Sequence, residues 1–152
     1  MNSIPEDIVF FLEKQGFLIT ATIDENGYPH TSCKGLLEIK DDTIYLMDLY
    51  RGRTYRNLLK NPRLSATAVD EHLYKGYCLK GRGSIVKKEE ISDLHLESWR
   101  DRKVDRTTSR VIKNIRGRKG HRAHPEAEFP DPKHLIVIQV EEIVDLAKYS
   151  GE

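Results

Sequence analysis

Short runs rich in apolar and β-branched residues recur along the chain, and polar turn residues separate them. Such runs predict β-strands, because branched and aromatic side chains fit a pleated, partly buried surface. Six strands are predicted, at residues 17–23, 28–39, 43–50, 64–69, 74–87 and 134–145. The sequence DENG at residues 24–27 predicts a hairpin turn between the first two strands, since Asn-Gly readily supplies positive φ.

A helical spacing of apolar residues precedes the first strand. Ser3 and Glu6 have the spacing of a capping box, which predicts a helix start at Ser3. Gly16 predicts the helix end, because glycine readily takes the left-handed conformation that closes a helix. The apolar face of this helix would consist of Ile8, Phe11 and Leu12.

The last third of the chain contains two further helical patterns, at residues 89–99 and 104–115. Residues 117–133 contain three prolines and predict a loop. Six strands joined mostly by short turns predict a mainly β fold with flanking helices. The expected architecture is a six-stranded antiparallel barrel, in a single domain that spans residues 1–152.

Three glycines, Gly76, Gly81 and Gly83, fall inside the fifth predicted strand. Glycine within a strand indicates a bulge or the close approach of another group. A bent strand at a barrel corner is the purely structural explanation.

A short helix is predicted between the third and fourth strands. It would begin near residues 52–54 and end at Asn61, because the residue before a proline avoids helical geometry. Arg51, Arg53 and Arg56 crowd its first turn. Cations are unfavourable at a helix N-terminus, so an anion among them, with Thr54 as a further donor, is a consistent explanation. The alternative is that the arginines face water or pair with local acids.

Composition narrows the class of protein. The 152 residues are 38% apolar and 32% charged, with a net charge of +1, as in charged globular proteins. The apolar runs are too short to span a membrane, and the first residues do not resemble a signal peptide. Cys33 and Cys78 are therefore expected to stay reduced in a cytoplasmic protein.

Residues 100–122, called the basic segment below, hold ten Lys or Arg residues and two Asp residues. Such a run is usually a solvated face. Nucleic-acid contact is the alternative, and we expect it to be weak because the chain as a whole is close to neutral.

No pairing of a nucleophile with a base stands out, and neither a P-loop nor a G-x-S-x-G motif is present. His121 and His124 are three residues apart, but no neighbouring Cys, Asp or Glu pattern completes a metal site. We therefore predict no metal, and expect any catalytic power to come from a bound cofactor.

The ordered set GYPHTS (27–32), RGRT (51–54), NLLKNPR (57–63) and the glycine at 81 resembles the pyridoxamine 5'-phosphate oxidase-like, FMN-binding split-barrel superfamily. The resemblance covers residues 17–87 well and residues 134–143 more loosely. It implies FMN as cofactor and a homodimer with flavin between two barrels. The apolar face of the first helix and the fifth strand would then form the dimer interface.

The same resemblance assigns cofactor-binding residues to this chain. Arg53 and Thr54 would hold the FMN phosphate, with Arg51 beside them. The second strand would lie beside the flavin ring, and the third strand would contribute at its end. The ring residues are Thr31, Ser32, Cys33, Lys34, Met47 and Asp48.

The chain also departs from the oxidase that gives the superfamily its name. Thr54 stands where that enzyme has lysine, Gly76 where it has glutamine, and its C-terminal arginine and histidine motif has no counterpart. We therefore expect a flavin-dependent oxidoreductase or electron carrier, with a small-molecule redox substrate or electron donor, and not a pyridoxamine phosphate oxidase.

Three alternatives remain open from the sequence. One is a nucleic-acid-binding module that uses the basic segment. The second is a barrel that binds a deazaflavin. The third is a haem-binding barrel with His121, His124 or His134 as the axial ligand.

Overall fold

The computed structural model describes residues 2–115 and 130–147, in which six antiparallel strands close into a barrel. The strand order around the barrel is β1-β2-β3-β6-β5-β4. The predicted six-stranded barrel is therefore confirmed. The strands are β1 (Phe17–Ile23), β2 (Pro29–Lys40), β3 (Thr43–Asp48), β4 (Arg63–Asp70), β5 (Lys75–Lys87) and β6 (His134–Asp145).

The barrel core is formed by the inward-facing residues of every strand. Its fully buried members include Leu18, Leu36, Leu46, Leu79 and Ile136. The helix α1 (Glu6–Gln15) packs its apolar face, centred on Phe11 and Leu12, against the same core. That face is thus not available for a dimer interface, and this half of the predicted interface is wrong. The other half, on β5, stays a prediction.

The structure confirms the predicted C-terminal end of α1 but not its predicted N-terminal cap. Gly16 closes the helix as predicted, with φ of 72° and its N–H bonded to the carbonyl of Leu12. The capping box is wrong, because Pro5 is the N-cap and no side chain of the described residues caps the helix. Ile4 instead donates its N–H to the carbonyl of Asp41, so the chain before the helix is held by the turn between β2 and β3.

The helix α2 (Arg53–Lys60) lies where it was predicted, and the chain is extended at Asn61 before Pro62. The two helices predicted after β5 are one continuous helix, α3 (Asp93–Ile115), preceded by a single 3-10 turn at Lys88–Glu90. No glycine or proline interrupts residues 93–115, so nothing breaks the helix between the two patterns.

The loop predicted at residues 117–133 lies outside the described residues except for its last four, which are neither helix nor strand. His121 and His124 also fall outside them. Among the described helices, none has the length and apolar content required to cross a bilayer.

Gly81 has the close backbone approach that its position in the strand predicted. The register between β5 and β6 shifts at Lys80 and Gly81, which marks a β-bulge. A Cβ on Gly81 would overlap the carbonyl oxygen of Gln139. Only glycine therefore fits at this crossing of the two strands.

Candidate functional site

A buried row of hydroxyl groups joins α2 to the barrel wall. The Ser32 and Thr54 hydroxyl oxygens lie 2.7 Å apart, and the Thr20 hydroxyl donates to the carbonyl of Ser32 at 3.2 Å. The Asn57 amide donates to the Thr22 hydroxyl at 3.1 Å. Together these bonds fix the first turns of α2 against β1 and β2.

Sequence reasoning missed Thr20, Thr22 and Asn57 as members of this row. A signal was present, since alternate residues of β1 face inward and two of its three inward positions carry a hydroxyl. Buried hydroxyls require partners, which predicts a polar element over that end of the barrel.

A buried group of charged side chains, called the charge cluster below, lies where the end of β3 and the start of β6 meet the middle of β2. Lys34 of β2 donates from Nζ to Oδ1 of Asp48 at 2.7 Å. His134 places Nε2 2.9 Å from Oδ2 of the same carboxylate. The side chains of Lys34, Asp48 and His134 expose only 11%, 3% and 1% of their surface.

The two contacts of Asp48 differ in geometry. The contact with Lys34 is a hydrogen-bonded ion pair, whereas the contact with His134 is close but poorly aligned for a hydrogen bond. Nδ1 of the same His134 ring has no hydrogen-bond partner among the described residues. The cluster thus holds one carboxylate between two basic groups.

Two opposing effects act on the pKa of Asp48. Burial raises it, because a carboxylate loses hydration inside the barrel. The close contact with His134, the hydrogen bond from Lys34 and the positive charge beside the carboxylate lower it by more, so that the pKa of Asp48 lies below its ordinary value. Asp48 is therefore ionised at neutral pH.

Aromatic and cationic groups extend the cluster toward the surface. The Tyr55 ring lies 4.7 Å from the His134 ring, and the Arg51 guanidinium lies 5.7 Å from the centre of the Tyr55 ring. The Tyr55 and His134 rings are tilted by 58° and not stacked, but because Arg51 is exposed, a series of contacts runs from the surface to the buried carboxylate. His134 was considered from the sequence only as a haem ligand, and its pairing with Asp48 depends on strand neighbours far apart in the chain.

The three arginines predicted to crowd one anion do not converge. Arg51 lies over Tyr55, whereas Arg53 and Arg56 line a groove of about 410 Å³ between α2 and residues 23–26. Neither Arg53 nor Arg56 has an acidic partner among the described residues. Lys60, on the same side of α2, pairs with Glu25 at 3.3 Å.

The other residues predicted to contact the flavin ring lie away from α2, either on the outer face of the barrel or beneath α3. Thr31 and Cys33 are exposed on the outer face of the barrel, opposite to Ser32 and Lys34. Met47 is buried beneath α3 with Trp99 and its apolar neighbours. Ser32, Lys34, Asp48 and Thr54 thus gather near α2, and the other strand residues do not.

Two arginines in the described part of the basic segment make contacts within the chain. Arg100 pairs with Asp131 at 3.3 Å, and Arg106 donates to the carbonyl of Gln15 at the end of α1. A cation there interacts favourably with the helix C-terminus. These contacts give Arg100 and Arg106 intramolecular roles.

Two of the described histidines lie against carboxylates. His134 faces Asp48, and His95 lies 2.8 Å from a carboxylate oxygen of Glu38. Among the described residues, no three His, Cys, Asp or Glu side chains are grouped closely enough to hold a metal ion. Cys33 and Cys78 are free thiols.

Comparison with known structures shows the same fold in proteins of low sequence identity. HupZ of Group A Streptococcus is 19% identical, with a TM-score of 0.65 over 95% of this chain and 94% of its own. HutZ, a haem storage protein of Vibrio cholerae, is 22% identical, with a TM-score of 0.57 over 95% and 94%. An F420 reductase is 18% identical, with a TM-score of 0.57 over 93% and 98%. These likenesses show the fold alone.

Comparison with curated proteins gave no match. The family model described as pyridoxamine 5'-phosphate oxidase matches residues 4–147, which is nearly the whole chain. The barrel topology and the sequence motifs agree with that match. The chain therefore belongs to the pyridoxamine 5'-phosphate oxidase family.

Proposed function

We propose that the protein binds FMN and acts in the cytoplasm as a flavin-dependent oxidoreductase or electron carrier. The observation that carries the proposal is the pair of arginines, Arg53 and Arg56, in the groove beside the start of α2. Both lack an acidic partner among the described residues, and the first turn of α2 holds no acid. Two acids also line the groove, but Glu25 pairs with Lys60, and the Asp24 carboxylate accepts backbone N–H groups of its own turn. A phosphate would therefore give the two arginines an anionic partner.

The residues present fit such a phosphate. Arg53 offers a guanidinium fork at the groove, and the helix start offers unpaired backbone N–H groups. Because the Thr54 hydroxyl is bonded to Ser32, Thr54 would contribute through its backbone N–H. Because residue 54 is threonine and not the lysine of the oxidase, Arg53 would be the principal charged contact of the phosphate.

Bound FMN would supply the hydride or electron chemistry, since none of the described side chains forms a nucleophile and base pair. The protein would hold and orient the flavin and bind a small-molecule redox substrate or electron donor. Lys34 and Asp48 would lie toward the ring, and Arg53 toward the phosphate.

A homodimer is part of the proposal. Phe17, Ile19 and Ile23 lie exposed on the outer face of β1, and Val69 lies on the same face of β4. Aligned apolar side chains on a sheet face suit a second copy of the chain, which would cover them symmetrically. This face replaces the α1 surface that the sequence had indicated.

Comparing FMN with riboflavin tests the phosphate assignment. Arg53→Ala should weaken FMN binding about ten- to a hundredfold, because it removes a charged hydrogen-bond donor, and should leave riboflavin binding nearly unchanged. Quenching of flavin fluorescence measures both affinities. The control is Arg82→Ala, since Arg82 pairs with Glu141 on β6. Equal losses for both flavins would remove Arg53 from the phosphate site.

Haem is the second candidate, because a structural relative is a haem storage protein. The described residues favour it less than FMN, since His134 is buried against Asp48. A haem titration followed by the Soret band distinguishes the two cofactors. A deazaflavin, raised by the F420 reductase likeness, is distinguished from FMN by competition in the same fluorescence assay.

A further inference from the structure

We propose that the charge cluster sets the reduction potential of bound FMN, with Lys34 presenting the charge and Asp48 and His134 acting as positioning residues. The inference rests on the proposed function, because it assigns the cluster a role toward that cofactor. It extends the site to His134, which lies 100 residues beyond Lys34 in sequence.

The geometry of the cluster gives Lys34 a fixed position. Its ammonium is bonded to Asp48 at 2.7 Å, and Asp48 is held on its other side by His134 at 2.9 Å. Of the three side chains, Lys34 is the most exposed. The cluster therefore keeps the carboxylate and the imidazole buried, and Lys34 is the member whose side chain reaches closest to solvent.

Stability alone does not account for this arrangement. Removing charges from water costs several kcal/mol per ion, and an apolar pair of similar volume is often as stable or more stable. Buried titratable groups with shifted pKa values are found most often at functional sites. Here a carboxylate with a lowered pKa and an orphaned imidazole nitrogen lie beside residues of the proposed cofactor site.

Charged residues from several neighbouring elements surround His134. Asp48 faces it from β3, Lys34 approaches through Asp48 from β2, and Lys87 is its register partner on β5. Arg51 is separated from His134 by the Tyr55 ring. Within the cluster, the charges of Lys34 and Asp48 form an ion pair and balance each other.

That balance predicts opposite effects for the two single substitutions. Two-electron, one-proton reduction by an electron donor leaves a negative charge on bound FMN. Lys34→Met leaves an uncompensated carboxylate and should lower the midpoint potential. Asp48→Asn leaves an uncompensated ammonium and should raise it. The double variant restores a neutral pair and should return the potential close to that of the wild type.

The experiment is a redox titration of the FMN-loaded wild type, both single variants and the double variant. We expect each single variant to change the ratio of affinities for reduced and oxidised FMN about tenfold, which is about 30 mV for a two-electron couple. Lys80→Met is the matched control, because Lys80 is an exposed lysine that also pairs with a carboxylate, that of Glu142, and lies outside the groove beside α2. It should leave the potential unchanged.

Urea unfolding of the same four proteins without cofactor gives a readout independent of redox chemistry. The effects of the single variants should be non-additive, with coupling of at least tenfold in the unfolding constant. If Asp48→Asn does not fold, Lys34→Met and the double variant still test the direction and its reversal. His134→Gln, which keeps both partner charges, should loosen Lys34 and give a smaller potential shift than Lys34→Met.

Unchanged potentials in FMN-loaded variants, or shifts of the same direction in both, would overturn the inference while leaving FMN binding established. A wild type that takes up no FMN would instead overturn the proposed function, and the inference with it. The two failures are therefore distinguishable.

Discussion

The hydroxyl oxygens of Ser32 and Thr54 lie 2.7 Å apart, so that the second strand and the first turn of α2 share a hydrogen bond inside the protein. Thr54→Val keeps the shape of the side chain and removes this partner. We expect a loss of about 1 kcal/mol in the free energy of unfolding, because one hydrogen bond is lost while the half-buried Ser32 hydroxyl keeps its contact with the Thr20 hydroxyl. Urea denaturation measures it, with the exposed Arg56→Ala as control. Wild-type stability in Thr54→Val would show that the bond contributes nothing.

The lowered pKa of Asp48 predicts a pH-dependent stability. A carboxyl with a depressed folded-state pKa stabilises the protein above its unfolded pKa of about 4, and this stabilisation is lost as the pH falls through the folded-state value. Asp48→Asn should therefore be less stable than the wild type at pH 7, with the difference shrinking in acid. Urea midpoints at pH 7, 5 and 3 measure this. A difference that stays constant over that range contradicts the assigned ionisation.

The crossing of β5 and β6 at Gly81 predicts a large cost for a single methyl group. In Gly81→Ala the Cβ would overlap the carbonyl of Gln139, and the ladder would have to separate. We expect destabilisation of about 2 kcal/mol or more, measured by thermal or urea unfolding. Gly52→Ala is the matched control, since open space surrounds that position and the expected cost is below about 1 kcal/mol. Equal costs for both would show that the close approach does not constrain the fold.

The apolar face of β1 predicts where two copies of the chain meet. Ile19→Asp would place a charge in the middle of this face and should convert a dimer into monomers, since an unpaired charge is costly at a buried interface. Light scattering coupled to size-exclusion chromatography measures the mass. Leu94→Asp, on the exposed side of α3, should leave the mass unchanged. A wild type that is strictly monomeric, with and without FMN, contradicts the dimer.

Local signals in the sequence predicted the parts of the fold that depend on neighbouring residues. The end of α1 at Gly16 and the end of α2 before Pro62 follow from backbone preferences of single residues. The bulge at Gly81 also has a local cause, although its partner Gln139 lies far along the chain. The length of α3 was missed because the charged residues RDRK at 100–103 separate its two apolar patterns, although charged residues do not end a helix.

The candidate site was only partly predictable, because it depends on pairing between distant strands. Asp48 ends β3 and His134 begins β6, and only their register places them together. The divergence of the arginines has a simpler cause. Arg53 and Arg56 are three residues apart and share one face of α2. Arg51 precedes the helix, and its guanidinium lies over the Tyr55 ring instead.

Binding of FMN by this barrel is best examined by identifying the small molecule that copurifies with the protein. The purified protein should be yellow, and on denaturation it should release a compound with the mass and absorption spectrum of FMN, at about one molecule per chain. The ligand-free protein should take up added FMN to the same ratio. Release of haem or a deazaflavin in its place, or failure of the ligand-free protein to take up FMN, would contradict the account.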